Sequence, residues 1–293
     1  MKKIIVKSPG SATIINAMAT GFGSAFGIDL NMEITAKTTQ DNKITCKSDK
    51  DPNPKLMYEC VDNVLKKYNL NKEELDFGLK FTAKSEIPLG SGLSSSSAIS
   101  NAVTLAASSI LSKELDLNRL NDETIIDLGI DASLKCGVTM TGSFDDASAS
   151  YYGGLVITDN TNRKLLVKKE FTDKNILISM PNTPSLSGSV DKERIKLLSP
   201  LVETAFEKAK NEDYYNALNL NGLIYGTLLG FDNEIAIKAL EAGALASGLS
   251  GSGSSTVAIV SDEKLDEVKD AWLNYSNADI IVTKTNNEGT FLL

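Results

Sequence analysis

The most chemically distinctive stretch of the chain is a run of glycines and serines, PLGSGLSSSSA, at Pro88–Ala98. An apolar segment that predicts a strand, Phe77–Ala83, precedes it, and an alanine- and leucine-rich segment that predicts a helix follows it. The first turn of a helix leaves N–H groups unpaired and carries the positive end of the helix dipole. Glycine lets the backbone approach an anion, and serine hydroxyls donate to phosphate oxygens or bind magnesium. The run therefore predicts an anion-binding loop or, taken alone, the serine-rich cap of a buried helix.

This run differs from two common nucleotide-binding loops. It has no Gly-Lys-Ser/Thr, which a Walker A loop requires, and no GxGxxG, the fingerprint of dinucleotide-binding folds. Two further glycine- and serine-rich segments occur at residues 8–30 and 247–260. The first follows a predicted strand, and the second predicts a turn that joins a helix to a strand. Three such segments in one chain are hard to explain as ordinary turns.

Asp145 and Asp146 are adjacent carboxylates in a glycine-bounded segment, TGSFDDASASYYGG. Transfer of a phosphoryl group to a hydroxyl uses a group that takes the proton, positive dipoles around the phosphate and usually Mg²⁺. We expect at least one of the two carboxylates to contact the acceptor hydroxyl or the metal. The alternative is that one of them caps a helix that begins at Ala147. Whether a base is needed is open, because positioning and electrostatics supply most of the rate in this chemistry.

The amino-acid composition limits which kinds of catalytic site the chain can form. The 293 residues include no histidine, which excludes imidazole metal sites, Ser-His-Asp triads and Cys-His dyads. Three widely spaced cysteines without a CxxC pair favour small buried side chains and reduced thiols, and we expect a cytoplasmic protein. The net charge is −8 with no basic block, which argues against nucleic acid as a partner. No apolar run approaches the length of a membrane span.

The segments that position these residues alternate irregularly between strands and helices, which favours an α+β fold over a doubly wound parallel sheet. Apolar runs predict strands at Lys3–Lys7, Leu30–Ala36, Phe77–Ala83, Leu155–Thr158, Lys164–Lys168, Asn175–Met180, Thr256–Val260, Asp279–Thr283 and Gly289–Leu292. Helical spacing predicts helices at Asn53–Tyr68, Asp122–Lys135, Asp191–Lys210, Asp213–Leu229, Asn233–Ala246 and Asp262–Tyr275. Gly137 and Gly230 are placed to end two of them. A composition change after the strand GGLVIT divides the chain into lobes of residues 1–157 and 158–293.

The three glycine- and serine-rich segments resemble motifs of the GHMP kinases, the superfamily of galactokinase, homoserine kinase and mevalonate kinase. The family's phosphate motif is P-x-x-x-G-L-G-S-S-A-A, and this chain matches it at Pro88, Gly92, Leu93, Ser95, Ser96 and Ala98. Ser94 and Ser97 stand where the family has a Gly and an Ala. The turn at Gly248–Gly253 is similar to the family's third motif.

Within the superfamily, the closest likeness is to the archaeal-type shikimate kinases. It lies in SATIINAMATGFGSAFGIDL and GSFDDASASYYGG. Ser11 stands where mevalonate-type members have a lysine, which counts against mevalonate. In the second string, spacing counted back from Gly154 selects Asp146 as the base, whereas the start of the family motif selects Asp145.

The resemblance implies sites for ATP, Mg²⁺ and the acceptor. ATP phosphates are expected at Pro88, Leu89, Gly90, Ser91, Gly92, Leu93, Ser94, Ser95, Ser96, Ser97 and Ala98. Ser96 is the expected Mg²⁺ ligand, with Glu86 as a weaker candidate. Substrate contacts are expected at Lys7, Ser11, Asn16, Asp145, Arg194, Gly251 and Ser252. Of these, Arg194 is placed to clamp the carboxylate of shikimate, with an exposed helix charge as the alternative reading.

The resemblance implies a two-lobed GHMP kinase fold, with an N-terminal α/β lobe and a C-terminal ferredoxin-like lobe. It also implies an ATP-dependent kinase that phosphorylates the shikimate 3-hydroxyl in chorismate and aromatic amino-acid synthesis. The alternatives are homoserine kinase or another GHMP small-molecule kinase, and a non-catalytic ligand-binding regulator on the same scaffold. The expected partners are shikimate and ATP, without nucleic acid or membrane, and a homodimer is possible. Residue chemistry alone does not identify the acceptor.

Overall fold

A computed structural model describes residues 2–51, 54–139, 141–181 and 192–293 of the chain. Its longest strands are β1, Lys3–Ile15, and β2, Phe22–Thr39, which pair antiparallel along nearly their whole length. Apolar side chains at alternate positions in the first half of β1 and the second half of β2 are buried, as the two-residue period of a half-buried strand requires. The predicted strands Lys3–Lys7 and Leu30–Ala36 are therefore only parts of a longer hairpin.

Five shorter strands complete a seven-stranded sheet around this hairpin. They are β3 Ile44–Ser48, β4 Gly78–Ser85, β5 Leu155–Asp159, β6 Lys164–Lys169 and β11 Phe291–Leu292. The main path runs β11-β1-β2-β4-β3, and β5 pairs with β2 and β6. Consequently β5 and β6, although they follow the first helices, extend the sheet that carries the N-terminal hairpin.

Four helices pack against this sheet and against one another. They are α1 Lys55–Lys67, α2 Ser95–Leu115, α3 Asp122–Cys136 and α4 Phe144–Tyr152. Helix α2 is buried along most of its length and contacts β1, β2 and the other three helices. Its many alanines and serines allow this, because small side chains let a helix pack against neighbours on several sides. The start of α2 is thereby held rigidly over the sheet.

A second, antiparallel sheet has four strands, β7 Asn175–Met180, β8 Ala246–Leu249, β9 Thr256–Val260 and β10 Asp279–Lys284. Its helices are α5 Lys192–Leu197, α6 Ser199–Lys210, α7 Tyr214–Leu229, α8 Glu234–Glu241 and α9 Leu265–Tyr275. The spatial order β10-β7-β9-β8 and the sequence of strands and helices give the βαββαβ arrangement of a ferredoxin-like layer. The predicted α+β class is confirmed.

Two predicted helices are wrong in part. The helix predicted at Asn233–Ala246 ends at Glu241, and Ala246–Leu249 is strand β8. Gly248 of that strand lies so close to Gly222 of α7 that a side chain at either position would collide with the other backbone. Such tertiary contacts are invisible to helical periodicity. The helix predicted at Asp191–Lys210 is divided in two at Leu198. Pro200, in the first turn of α6, causes the break because proline disrupts a helix that precedes it. Asp191 lies outside the described residues.

The boundary between the predicted lobes, after residue 157, lies within β5, and the second sheet begins at β7. The division at this position stays a prediction. All three cysteines are free thiols, and Cys46 and Cys60 are buried as expected. In the described part of the chain, no helix is both long enough and apolar enough to cross a membrane.

Candidate active site

The serine-rich run forms a tight loop between β4 and α2. Gly90, Gly92 and Ser94 have positive φ values of 63°, 75° and 61°, while the residues between them do not. Alternating signs of φ turn successive N–H groups towards one concave side, which is an anion-binding geometry. Helix α2 begins directly after Ser94, so its unpaired N–H groups and positive dipole end point into the same concavity.

The first glycine- and serine-rich segment is not a loop after a short strand: it forms the second half of β1, a turn and the start of β2, and its β1 part lies against the phosphate loop. Ser11 is fully buried, and its hydroxyl contacts the Ser94 hydroxyl at 2.6 Å. The Ser11 N–H also donates to the Leu93 carbonyl at 3.3 Å. Strand β1 thus fixes the last residues of the loop where α2 begins.

The third segment is a turn between β8 and β9 that closes over the same loop. The Ser250 hydroxyl donates to the Gly92 carbonyl at 2.8 Å and accepts from the Thr13 N–H at 3.1 Å. Gly251 receives a hydrogen bond from the Asn16 side chain on its carbonyl, at 2.8 Å, and its N–H donates to the Thr13 hydroxyl at 3.0 Å. Three segments far apart in the chain therefore meet at one place.

These segments enclose a cavity of about 400 Å³, which is within the size range of small-molecule sites. Six of the eleven predicted phosphate-loop residues line it: Gly90, Ser91, Gly92, Ser94, Ser95 and Ser96. The other five, Pro88, Leu89, Leu93, Ser97 and Ala98, do not line it. Leu93 and Ala98 are buried in the core, where they anchor the loop and the helix, and Leu89 is exposed.

Asp145 and Asp146 also line the cavity, in the first turn of α4. The helix begins at Phe144 and not at Ala147, so neither carboxylate is its N-cap; that residue is Ser143. Asp145 is 4% exposed, and its Oδ1 accepts a hydrogen bond from the Asn160 side chain at 2.7 Å. Asp146 is less buried as a residue, yet its Oδ1 is inaccessible and has no hydrogen-bond partner within the described structure.

Burial raises the pKa of both carboxyl groups. For Asp145, the hydrogen bond from Asn160 and N–H groups of α4 act in the opposite direction. For Asp146, burial and the neighbouring charge of Asp145 raise the pKa well above its usual value, and the nearby hydroxyls of Ser94 and Ser11 only partly oppose this. A carboxyl group with a raised pKa is a stronger base once it is ionised. The pair therefore provides a proton acceptor in the cavity, beside the phosphate loop.

The other predicted substrate residues divide into two groups. Asn16, Gly251 and Ser252 line the cavity, and Ser11 lies just behind it. Lys7, Arg194 and the candidate Mg²⁺ ligand Glu86 are not among its lining residues. Arg194 is exposed on α5, and residues 182–191, which precede this helix, lie outside the described residues. Glu86 accepts a hydrogen bond from the Asn31 N–H at 2.9 Å.

Sequence reasoning missed several residues of the cavity wall. They are Thr13, Ala17, Met18, Gly137, Val138, Thr139, Thr141, Ser143 and Gly253. Their proximity to the recognised motifs is the signal that could have found them, since all lie within nine residues of a motif residue in the chain. The lining residues in the described ranges include no lysine or arginine. An anion in this cavity is therefore met by N–H groups, hydroxyls and any cation it brings.

Two sequence profiles match the chain, the GHMP kinases N terminal domain at residues 55–154 and the GHMP kinases C terminal at residues 216–278. The shikimate kinase of Methanobrevibacter smithii is 54% identical over 289 residues, covering 99% of this chain and 98% of the relative. The shikimate kinase of Pyrococcus furiosus is 38% identical over 283 residues, covering 95% of this chain and 98% of the relative.

Solved structures agree with the fold. A phosphotransferase related to the CoA biosynthesis pathway superposes with a TM-score of 0.78 at 16% identity, covering 100% of this chain and 99% of that one. Mevalonate kinase of L. major, in complex with R-mevalonate, superposes with a TM-score of 0.74 at 17% identity, covering 99% of this chain and 97% of that one. At such identities the likeness concerns the fold alone.

Proposed function

The chain belongs to the GHMP kinases and is an ATP-dependent small-molecule kinase, and from this premise we propose that it phosphorylates a hydroxyl of shikimate. The observation that carries the choice of acceptor is the identity of 54% across nearly the whole length of a relative named shikimate kinase. The residues of the cavity are compatible with this reaction, since they provide a phosphate loop and a carboxylate beside it.

In the proposed reaction, the γ-phosphate of ATP lies over the concave side of the loop at Gly90–Ser96. The N–H groups at the start of α2 stabilise negative charge there, because their dipoles are already oriented and need no rearrangement. The bond between the γ-phosphorus and the β,γ-bridging oxygen breaks, and a bond forms between that phosphorus and the acceptor oxygen. ADP leaves with the electron pair of the broken bond.

We propose that Asp146 accepts the proton of the acceptor hydroxyl. Asp146 lines the cavity and is the less buried of the two carboxylates, so it is the one that a substrate reaches more easily. Asp146 also lies beside Ser94 and Ser11, and so adjoins the phosphate loop. Asp145 is already engaged by Asn160 and is assigned the supporting role. Asn16, Gly251 and Ser252 would contact the substrate, with Ser11 behind them.

Mg²⁺ fits this cavity as a companion of ATP. Mg²⁺ typically binds through a few protein oxygens and the substrate phosphates, and the hydroxyl-bearing residues Ser94, Ser95 and Ser96 line the cavity. The Ser96 hydroxyl, in the first turn of α2, is the proposed protein ligand. The bound cation supplies positive charge that lysine and arginine do not supply among the described lining residues.

Other parts of the proposal lack such structural support. Arg194 stands next to a segment outside the described residues, and we retain it, with Lys7, as a candidate partner of the substrate carboxylate. The two-lobe boundary after residue 157 and a homodimer also remain proposals. So does the expectation that neither nucleic acid nor a membrane is a partner.

The test is an assay that measures ADP formation with shikimate, homoserine and mevalonate as separate acceptors. We expect turnover that depends on shikimate and is at least about tenfold faster than with either rival. Turnover with homoserine alone would reject shikimate as the acceptor. No acceptor-dependent turnover, combined with tight binding of shikimate, would favour the non-catalytic regulator.

A further inference from the structure

A chain of buried polar groups stands behind Asp145 and extends away from the cavity. We propose that Asn160, aided by Thr158, is a positioning residue that acts through Asp145 to make Asp146 the reacting carboxylate. This inference rests on the proposed kinase function. It adds two residues outside the recognised motifs that do not touch the substrate: Thr158, near the end of β5, and Asn160, in the turn that follows.

The position of Asn160 is fixed from three sides. Its N–H donates to the Gly21 carbonyl at 2.8 Å, and the residue is only 6% exposed. The fully buried Thr158 hydroxyl donates to the Asn160 Oδ1 at 2.6 Å. The Asn160 Nδ2 therefore faces Asp145 and donates to its Oδ1 at 2.7 Å. With its oxygen occupied by a hydroxyl donor, the amide is oriented to present a donor to the carboxylate.

This arrangement favours the ionised form of Asp145. A hydrogen bond donated to a carboxylate stabilises its charged form and opposes the effect of burial. The other oxygen of Asp145 packs against Gly23 of β2, where a side chain would overlap the carboxylate. Asp145 is thus held in one position, and the hydrogen bond from Asn160 favours its charged form against the effect of burial. Two carboxylates this close do not ionise independently, so the charge on Asp145 makes Asp146 the stronger proton acceptor.

The surroundings of the pair offer little else that could decide which carboxylate is ionised. β1 and the phosphate loop bring the hydroxyls of Ser11 and Ser94, and α4 brings N–H groups of its own first turn. Helix α7 brings Tyr225, whose hydroxyl donates to the Asn16 carbonyl at 3.2 Å. Burial raises the pKa of Tyr225, which keeps it neutral. Within the described ranges, no lysine or arginine lines the cavity.

The test compares Asn160→Ala and Thr158→Val with wild type and with Asn162→Ala. Asn162 is a matched control, because it lies in the same turn and its exposed amide donates to Asp159 at 2.8 Å instead of to the site. We expect Asn160→Ala to lower kcat about 10- to 100-fold with the KM for ATP nearly unchanged. Thr158→Val, which leaves the amide in place but free to turn, should show a smaller loss.

The pH profile distinguishes positioning from a loss of structure. Without the donated hydrogen bond, Asp145 keeps its proton to a higher pH, and its charge no longer opposes the ionisation of Asp146. The acid limb of kcat/KM should then move to lower pH by about one unit in Asn160→Ala. Asn162→Ala should keep the wild-type limb. A purely structural defect would lower the amount of active protein and leave the limb in place.

Several results would overturn the proposal. Wild-type kcat and an unmoved acid limb in Asn160→Ala would overturn it while leaving the kinase function intact. A wild-type protein without turnover of shikimate would overturn both. If Asn160→Ala does not fold, Thr158→Val replaces it as the decisive variant, and a wild-type profile for that variant rejects the role of the polar chain.

Discussion

Asp145 and Asp146 are neighbours in the chain, yet their surroundings differ. Asp145 is held by Asn160 and packs against Gly23, whereas Asp146 has a buried oxygen without a partner in the described structure. The sequence left open which of them acts as base, because spacing and motif start selected different residues. The difference depends on Asn160, a residue of another turn, and no local pattern marks such a contact. The geometry favours Asp146.

This assignment predicts different effects for two conservative substitutions. Asp146→Asn should lower kcat about 10²- to 10⁴-fold with little change in the KM for ATP, because the amide does not accept the proton. Asp145→Asn should lower kcat less, since it removes only the neighbouring charge. Steady-state kinetics with ATP and shikimate varied separately measures both effects. A larger loss for Asp145→Asn would reverse the assignment, and near wild-type rates for both would show that positioning alone carries the reaction.

The raised pKa of Asp146 also predicts how stability depends on pH. Its pKa is higher in the folded protein than the unfolded value of about 3.9, so the folded state binds more protons between those two values. The contribution of Asp146 to stability is therefore most favourable below about pH 4 and is lost as the pH rises through the folded pKa.

Asp146→Asn removes this pH-dependent cost. We expect the variant to unfold at a higher temperature than wild type at pH 8, and the difference to shrink towards pH 4. The unfolding temperatures of both proteins are measured by circular dichroism at pH 8 and pH 4. A variant that is less stable than wild type at pH 8 would contradict the raised pKa.

The phosphate loop depends on close contact with the turn between β8 and β9. A side chain on Gly92, whose φ is +75°, would overlap the Ser250 carbonyl, whereas one on Gly90, with φ of +63°, would meet nothing within 4 Å. Gly92→Ala should therefore cost about 3 kcal/mol and raise the KM for ATP. Gly90→Ala, the control, should cost only about 1 kcal/mol of backbone strain. Urea unfolding and steady-state kinetics with ATP compare the two variants. Equal losses of stability and equal changes in KM would show that the contact of Gly92 with Ser250 is unimportant.

Two serines near the end of β8 provide a second matched pair. Both are fully buried, but Ser250 links Gly92 to Thr13, while the Ser247 hydroxyl has no partner in the described structure. Ser250→Ala should destabilise the protein by about 1–3 kcal/mol, because it leaves buried backbone groups unpaired. Ser247→Ala should be neutral or slightly stabilising. Unfolding temperatures measured by calorimetry compare the two variants. An unchanged unfolding temperature for Ser250→Ala would show that the three segments hold together without this hydrogen bond.

Short-range sequence patterns predicted well those strands and helices whose bounds do not depend on distant contacts. β7 and β9 have the predicted bounds, and Gly137 and Gly230 end α3 and α7 with positive φ as expected. The errors occur where distant contacts decide. The glycine- and serine-rich half of β1 lacks an alternating pattern and is a strand because it pairs with β2. β8 likewise depends on its pairing with β9 and its close packing on α7.

The assembled molecule has charge features that composition does not reveal. Strand register places Lys3 opposite Lys37 and Lys37 opposite Lys80 on the exposed face of the first sheet. The chain shows no basic block because these lysines alternate with buried residues along their strands. The expectation against nucleic acid rested on that missing block, and it stays a prediction.

The site itself is a property of the whole fold. The N-terminal hairpin belongs to the first sheet, the turn between β8 and β9 belongs to the second, and the phosphate loop lies between them. Hydrogen bonds join Thr13, Gly92 and Ser250 across these segments. The sequence identified the three segments and their common role by family resemblance. It did not show how they touch, because residues more than 150 positions apart carry no local signal of contact.

The most direct test of the central claim is product identification in a single mixture. The protein is incubated with ATP, Mg²⁺ and equal amounts of shikimate, homoserine and mevalonate, and the products are followed by ³¹P NMR and mass spectrometry. We predict one phosphate monoester, carried by shikimate, formed in equal amount to ADP. A phosphorylated homoserine or mevalonate as the main product, or ADP with free phosphate alone, would contradict the proposed function.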